Sequence, residues 1–272
     1  MATEVAPDVQ AIARRIRGRL VELSHTAKTP HLGSSLSCVD ILVALYWGVL
    51  RIDDPLDENR DRFILSKGHA ATTLYAVLGE KGLFPMEWLE SYAKPGSRLA
   101  EHPVRGSAPG IEVTSGSLGH GLSLGVGMAL AGRIKERSYR VVVVLSDGEC
   151  NEGSVWEAAL MAAAQKLDNL MVIIDYNKWQ ATGRSEEVMA IRPMVEKWTS
   201  FGWSSSNVDG HDLTELMATL AKLPDGTGKP VAVVANTVKG KGVSFMEDDN
   251  NWHYRIPNAE EVQRAKQELG LL

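Results

Sequence analysis

Apolar residues recur along this chain in two rhythms. Over residues 8–26, Ile12, Ile16, Leu20 and Leu23 follow the three-to-four-residue spacing of one helix face, and residues 35–50 read as a second, more apolar helix. Short runs dense in β-branched residues read as buried strands over 62–66, 139–145 (YRVVVVL), 170–174 (LMVII), 203–208 and 230–238 (PVAVVANTV). Helices are predicted over 69–81, 85–92, 121–137, 153–167, 194–201 and 212–223, the last with Leu213, Leu216, Met217 and Leu220 on one face. Asn258 followed by Glu261 resembles a capping box that opens a closing helix. Strands alternating with helices predict an α/β fold, a doubly wound parallel sheet with helices on both faces. With 272 residues and no internal repeat, the stretch 1–272 reads as a single domain.

Two segments follow neither rhythm. Residues 94–116 are rich in Gly, Pro and Ser and are too long for a simple connector, and 178–191 form a polar loop. Loops of that length in compact domains usually carry function. The helix opening GLSLGVGMALAG pays for its glycines in stability, which points to close backbone approach against the sheet or a second subunit. The alanine run 158–164 needs no more than helix propensity.

Composition narrows the function classes. A net charge of −5 with no basic stripe argues against a nucleic-acid partner. No run of about eighteen apolar residues exists, so no membrane span is expected. The first twenty residues lack the apolar core of a signal peptide, and two cysteines, Cys38 and Cys150, are too few for a disulfide framework; both features suit a reducing cytoplasm. Cys150 reads as a small bystander.

The chemistry concentrates at two strand ends. Ser146-Asp147-Gly148-Glu149 closes one predicted strand and Asp175-Tyr176-Asn177 closes the next, thirty residues on. A strand–helix–strand unit brings both ends to one edge of a parallel sheet, where open α/β sheets bind ligands. Asp147 and Asn177 therefore offer two hard oxygen donors, a set that suits Mg²⁺ completed by water and phosphate oxygens, and so implies a diphosphate ligand. Gly119, Gly121 and Gly125 do not make a dinucleotide fingerprint, because the spacing is wrong and no strand precedes them. Their loop still offers backbone N–H groups to an anion or a cofactor ring.

Of seven histidines, His25 sits in the first amphipathic helix and reads as structural. His31, His69, His102 and His253 lie in short loop-like settings, where imidazoles can bind hydroxyls and phosphates or shuttle protons. Glu152 and Glu157 flank the first turns of the helix after Asp147, a placement that the helix dipole alone would favour. Lys239-Gly240-Lys241-Gly242 reads as a mobile basic loop, able to close over an anionic substrate or to be a solvated turn.

The stretch SDGECNEGSVWEAALMAAAQKLDNLMVIIDYNKWQATG resembles the thiamine diphosphate signature of transketolases. The similarity continues through HLGSSLS, FILSKGHA, EHPVRGSAPGIEVTSGSLGHGL and VKGKGVSF, in the family order and over most of the chain. This resemblance implies that Asp147 and Asn177 bind Mg²⁺ through their side chains and Trp179 through its backbone carbonyl. It implies that Gly148 lets the backbone approach the diphosphate, and that Glu149 and Asn177 belong to the same cofactor site. His69 and the loop containing Gly116, Ser117, Leu118 and Gly119 would line the diphosphate and thiazolium. His31, His102 and His253 would contact the sugars or assist proton transfer. Glu152 would link two active sites across a subunit interface, with Glu157 in the same signature helix.

The sequence departs from the resemblance in two places. Longer transketolases continue into a pyrimidine-binding domain, which carries the glutamate that activates the aminopyrimidine, and into a further C-terminal domain; this chain stops at Leu272. The resemblance therefore implies the N-terminal subunit of a split transketolase, active only with a C-terminal partner subunit, binding sugar phosphates and assembling as a heterotetramer. Leu32 also stands where His-Pro-Gly is common in the longer enzymes, which bears on sugar length. Two other readings are open: the α subunit of a thiamine-dependent 2-oxo acid dehydrogenase, which the histidine set disfavours, and a non-catalytic regulatory module of the same fold.

Overall fold

The computed structural model describes residues 7–54 and 57–272; the first six residues of the N-terminal stretch read above lie outside the described residues. Among the described residues five parallel strands form one sheet: β1 (Arg62–Leu65), β2 (Val141–Ser146), β3 (Leu170–Tyr176), β4 (Ser204–Asp209) and β5 (Val231–Asn236), in the order β1-β2-β3-β5-β4. The central strands are hydrophobic at nearly every position because both faces are covered. Val142 and Val144 of β2 join one core, while Val141, Val143 and Leu145 join the other. β3 divides likewise, with Met171 and Ile173 on one side and Leu170, Val172 and Ile174 on the other.

Helices α1 (Val9–Ala27), α2 (Leu32–Ser37), α3 (Val39–Ala44), α4 (Ala71–Glu80) and α9 (Leu213–Leu220) pack on the first face, with α10 (Ala259–Glu268) against α1. On the second face lie α5 (Gly121–Ile134), α6 (Gly153–Ala164) and α8 (Met194–Ser200). The chain steps outward from β2 to β3 to β4, then returns to insert β5. A right-handed crossover must then change faces, which places α9 opposite α6 and α8. The expected doubly wound sheet is present.

Local signals set the helix ends. Asp8 caps α1 through Ala11 N at 3.0 Å, and Asp212 caps α9 through Thr214 N and Glu215 N. Asn258 and Glu261 form the expected reciprocal capping box of α10. His25 Nδ1 bonds Pro257 O at 2.7 Å, a structural contact.

The helix expected over 35–50 is a correction. It is broken at Cys38 into α2 and α3 and then widens into a π turn over Leu45–Val49. Ser37 Oγ donates to Ser34 O at 3.0 Å, and Cys38 Sγ approaches Ser34 O and Ser35 O, so side chains compete for the helix's own carbonyls. Residues 85–92 form only a 3-10 turn, Met86–Ser91, and the loop 178–191 contains a short helix, α7 (Ser185–Val188), that the sequence pattern did not predict. Two glycines of α5 do serve close packing: a Cβ at Gly125 would sit 2.6 Å from Val143 of β2, and one at Gly132 2.8 Å from Tyr139 just before that strand.

Candidate functional site

The carboxyl ends of β2 and β3 deliver the two candidate metal donors side by side. Ser146 is in register with Asp175, so Asp147 and Asn177 leave the sheet from adjacent strands. Asp147 is fully buried. Its Oδ1 accepts from Gly148 N at 2.9 Å, and its Oδ2 accepts from Lys178 N at 2.9 Å and from Ser185 Oγ at 2.8 Å. Among the described residues no ion pair neutralises it, and burial pushes its pKa up to about 7. Asn177 is buried beside it, with Oδ1 accepting from Trp179 N at 3.0 Å and Nδ2 pointing at Ser37 Oγ, 3.4 Å away.

Beneath this pair lies a second layer. Asp175 is ion-paired with Lys67 and accepts from Thr237 Oγ1 and, at 2.6 Å, from Ser37 Oγ; all four side chains are buried. Lys67 Nζ also donates to Ser34 O at 2.8 Å. The layer is charge-balanced within itself, so it leaves the Asp147 carboxylate without an ion-pair partner.

Above the pair opens a cleft of about 560 Å³, and His31, His69, His102 and His253 all line it. Three of the rings form a triangle, with centroid separations of 5.4 Å (His31–His69), 5.0 Å (His31–His253) and 6.1 Å (His69–His253). Burial, with His102 and Lys239 nearby, pushes His31 down to about 4. Burial and Lys239 push His253 down to about 3, and burial and Lys67 hold His69 well below the usual imidazole range. Three neutral imidazoles at physiological pH supply donors and acceptors without added positive charge.

The glycine loop forms part of the wall beside His102. Gly116 and Leu118 line the cleft, whereas Ser117 is outside it, bonding His120. Gly116 (φ 137°) allows His102 to lie against it, since a Cβ there would meet His102 Cδ2 at 2.7 Å. Gly119 is buried behind the wall and is held by Glu149, whose Oε1 accepts from Gly119 N at 3.0 Å and from Ser66 Oγ at 2.5 Å while Oε2 accepts from Ser146 N at 2.9 Å. Glu149 therefore acts as an internal clip between the loop and β2 and does not line the cleft. Gly148 does line it, with Gln180 Cγ 3.2 Å from where a Cβ would stand.

Glu152 and Trp179 sit on the rim. Trp179 Nε1 donates to Asp248 Oδ1 at 2.8 Å, and the Arg184 guanidinium, paired with the same carboxylate, stacks 3.8 Å over the indole. Glu157 is exposed on α6 and is not brought to the cleft. Cys150 is buried behind the site, and burial raises its pKa well above the ordinary thiol range, as a bystander requires.

The sequence pattern did not single out Ser34, Asn151 or Gln180, which line the cleft, and it misread Lys239, which stands behind His253. Lys239, read as part of a mobile basic loop, is fully buried, with Nζ donating to Asn250 Oδ1 at 2.6 Å and to His253 Nδ1 at 3.0 Å. The turn around it is fixed rather than mobile: a Cβ at Gly240 (φ 79°) would sit 2.1 Å from Met246 O. Two glycines alternating with two lysines were the available signal, because such spacing also marks a backbone that must turn tightly against a neighbour.

No group of three His, Cys, Asp or Glu among the described residues is placed to hold a metal ion; the side chains that stand together at the strand ends are the Asp147 carboxylate and the Asn177 amide. The family model for the transketolase thiamine diphosphate binding domain matches residues 9–272. The chain belongs to the transketolase family. It is 42% identical over 255 residues to one subunit of the apulose-4-phosphate transketolase of Phocaeicola vulgatus, covering 93% of this chain and 90% of that protein. It is 40% identical over 242 residues to the 6-deoxy-6-sulfo-D-fructose transketolase subunit SqwG of a Clostridium species, covering 88% of each. The structure superposes on transketolase from Leishmania mexicana with a TM-score of 0.89 at 28% identity, covering 97% of this chain but only 41% of that one. The transketolase chain described here thus matches subunit-sized relatives over most of their length and spans less than half of the solved transketolase. No helix among its described residues is long and apolar enough to cross a membrane.

Proposed function

We propose that this chain is the thiamine diphosphate-side subunit of a two-chain transketolase that moves a two-carbon ketol unit from a ketose phosphate to an aldose phosphate. The observation that carries the reading is the fully buried Asp147 carboxylate, without an ion-pair partner among the described residues, beside Asn177, which lines a cleft shared with four histidines. A buried anion of this kind calls for a cation, and oxygen donors of this number suit Mg²⁺ with phosphate oxygens filling the remaining positions. Asp147 and Asn177 would hold the ion through their side chains and Trp179 through its carbonyl, while Gly148 leaves room for a diphosphate against the backbone. When bound, thiamine diphosphate supplies the electron sink for carbon–carbon bond cleavage.

The chain's own groups orient the sugars. His31, His102 and His253 offer ring nitrogens to hydroxyls of donor and acceptor, and His69 faces the cofactor end with the Gly116–Leu118 wall. Relatives named for apulose 4-phosphate and for a sulfo-sugar support a phosphorylated or similarly anionic ketose as donor. Those relatives are each named as a single subunit of a transketolase, which supports a second polypeptide carrying the pyrimidine-binding domain. Exposed Glu152 at the start of α6, with exposed Leu124 of α5 and Leu160 of α6, supports assembly across this face into a heterotetramer.

Co-purified with its partner and supplied with Mg²⁺ and thiamine diphosphate, the chain is expected to transfer ketol units from xylulose 5-phosphate to an aldose phosphate. It should leave pyruvate with a lipoyl acceptor unchanged. Turnover of pyruvate alone would replace this reading with that of a 2-oxo acid dehydrogenase subunit.

A further inference from the structure

The backbone that carries Lys239 is gripped from inside the protein. Val238 N donates to His211 Nε2 at 2.8 Å, and Lys241 O accepts from Arg17 Nε at 3.0 Å. Both gripping side chains converge on one carboxylate: Asp40 Oδ2 bonds Arg17 Nη2 at 2.6 Å and His211 Nδ1 at 2.7 Å. Asp40 and Arg17 are buried. A backbone N–H can only donate, so His211 Nε2 carries a lone pair and its proton sits on Nδ1, facing Asp40. Replacing any of the three side chains removes a grip on the residues flanking Lys239-Gly240.

Lys239 projects from that anchored backbone toward the cleft. Its stem runs against Gly33, where a Cβ would stand 3.1 Å from Lys239 Cγ, and its Nζ reaches His253 Nδ1 at 3.0 Å. Burial lowers the Lys239 ammonium to about 8, so near pH 7 it keeps its proton, and an ammonium group has no lone pair. The contact therefore exists only with a lone pair on His253 Nδ1, and the single proton of that neutral ring is then on Nε2.

We propose that Lys239 is a positioning residue that fixes His253 as its Nε2–H tautomer, and that Asp40, through His211 and Arg17, holds Lys239 in place to do so. The inference deepens the transketolase reading and rests on it for its functional meaning. A ring fixed in this way presents an N–H donor to the cleft, suited to a sugar oxygen or an anionic oxygen, and cannot serve there as a base. His253 would be an orienting group, and proton transfer would fall to other cleft residues.

Selective ¹⁵N-histidine labelling of the full chain, read by two-bond ¹H–¹⁵N correlation, reports the tautomer of each ring, and His253→Asn assigns the signal. The Nε2–H pattern is expected at His253 in the wild type and a shift toward a mixed pattern in Lys239→Met. Asp40→Asn and His211→Ala should shift the same signal, while His211→Gln, which keeps one donor and one acceptor, should restore the wild-type pattern. In the complex with the partner subunit, Asp40→Asn and Lys239→Met should each raise KM for xylulose 5-phosphate roughly tenfold with a smaller change in kcat. The double variant should be no worse than Lys239→Met alone, because both changes act through one contact.

An Nδ1–H pattern at His253 in the wild type, or an unchanged pattern in Lys239→Met, overturns the proposal. If Lys239→Met does not fold, an unchanged pattern in both Asp40→Asn and His211→Ala overturns it equally. Absence of ketol transfer with a correct tautomer response would sink the functional reading while leaving the relay standing.

Discussion

Lys67 and Asp175 form an ion pair in which both side chains are wholly excluded from solvent, directly beneath Asn177 and the cleft floor. Neither partner can exchange the other for water. Lys67→Met should therefore strand the Asp175 carboxylate and cost about 3–5 kcal/mol. Pairing it with Asp175→Leu removes the stranded charge, and the double variant should regain much of the loss. Urea unfolding of the three variants checks this, and a Lys67→Met midpoint equal to that of the wild type would show that the pair carries no such weight.

How far the sequence reaches is visible in this same region. The strands were legible because β2 and β3 are continuous apolar runs rich in β-branched residues, and their ends placed Asp147 and Asn177 on one edge without further information. β4 was legible only by position, since Ser204–Asp209 is a polar edge strand with one buried residue, Val208. The break at Cys38 was not legible, because serines inside a helix look neutral until their hydroxyls turn back on Ser34 O. Nor were the partners of Lys67, Asp40 and Lys239, which lie 108, 171 and 14 residues away at Asp175, His211 and His253. Charged residues read as solvated by default, and only tertiary packing reveals which of them are enclosed.

The cleft histidines give the chain a defined acid sensitivity. In the unfolded chain these rings titrate near 6.5, while folding lowers His31 to about 4 and His253 to about 3. Between those limits the unfolded state binds protons that the folded state refuses, so stability falls as pH drops from about 6.5 toward about 4. Above 6.5 both states are neutral at these rings and the effect vanishes. His31→Asn should flatten the dependence of the urea midpoint on pH in that window. An unchanged slope in the variant would remove His31 from the account.

Gly68 and Gly116 stack against each other where the wall meets the cleft. A Cβ at Gly68 would stand 2.6 Å from Gly116 N, and one at Gly116 would strike His102. Gly68→Ala should cost about 1–3 kcal/mol, because a backbone atom and not a flexible side chain must yield. Gly127 is the control: it lies on an exposed turn of α5 with open space where a Cβ would be. Gly127→Ala should stabilise the isolated chain by about 0.5–1 kcal/mol. If that variant assembles less well with the partner, the exposed face of α5 belongs to the subunit interface. Thermal melts with light scattering separate the two effects.

Glu149 and Asp147 are neighbouring buried carboxylates with different tasks, and they can be separated by ligand response. Glu149 is saturated by Ser66, Gly119 and Ser146, so Glu149→Gln should loosen the glycine wall and cost about 1–3 kcal/mol with or without cofactor present. Asp147 likewise accepts three hydrogen bonds and has no ion-pair partner among the described residues, but it stands beside Asn177 at the strand ends rather than clipping the loop. In the complex with the partner subunit, Mg²⁺ and thiamine diphosphate at about a hundredfold over Kd should stabilise the wild type by about 2.7 kcal/mol. The Glu149→Gln complex should keep most of that gain, while Asp147→Ala should lose it entirely. Differential scanning calorimetry with and without the ligands reads both arms, and a full ligand-induced shift in Asp147→Ala would place the metal elsewhere.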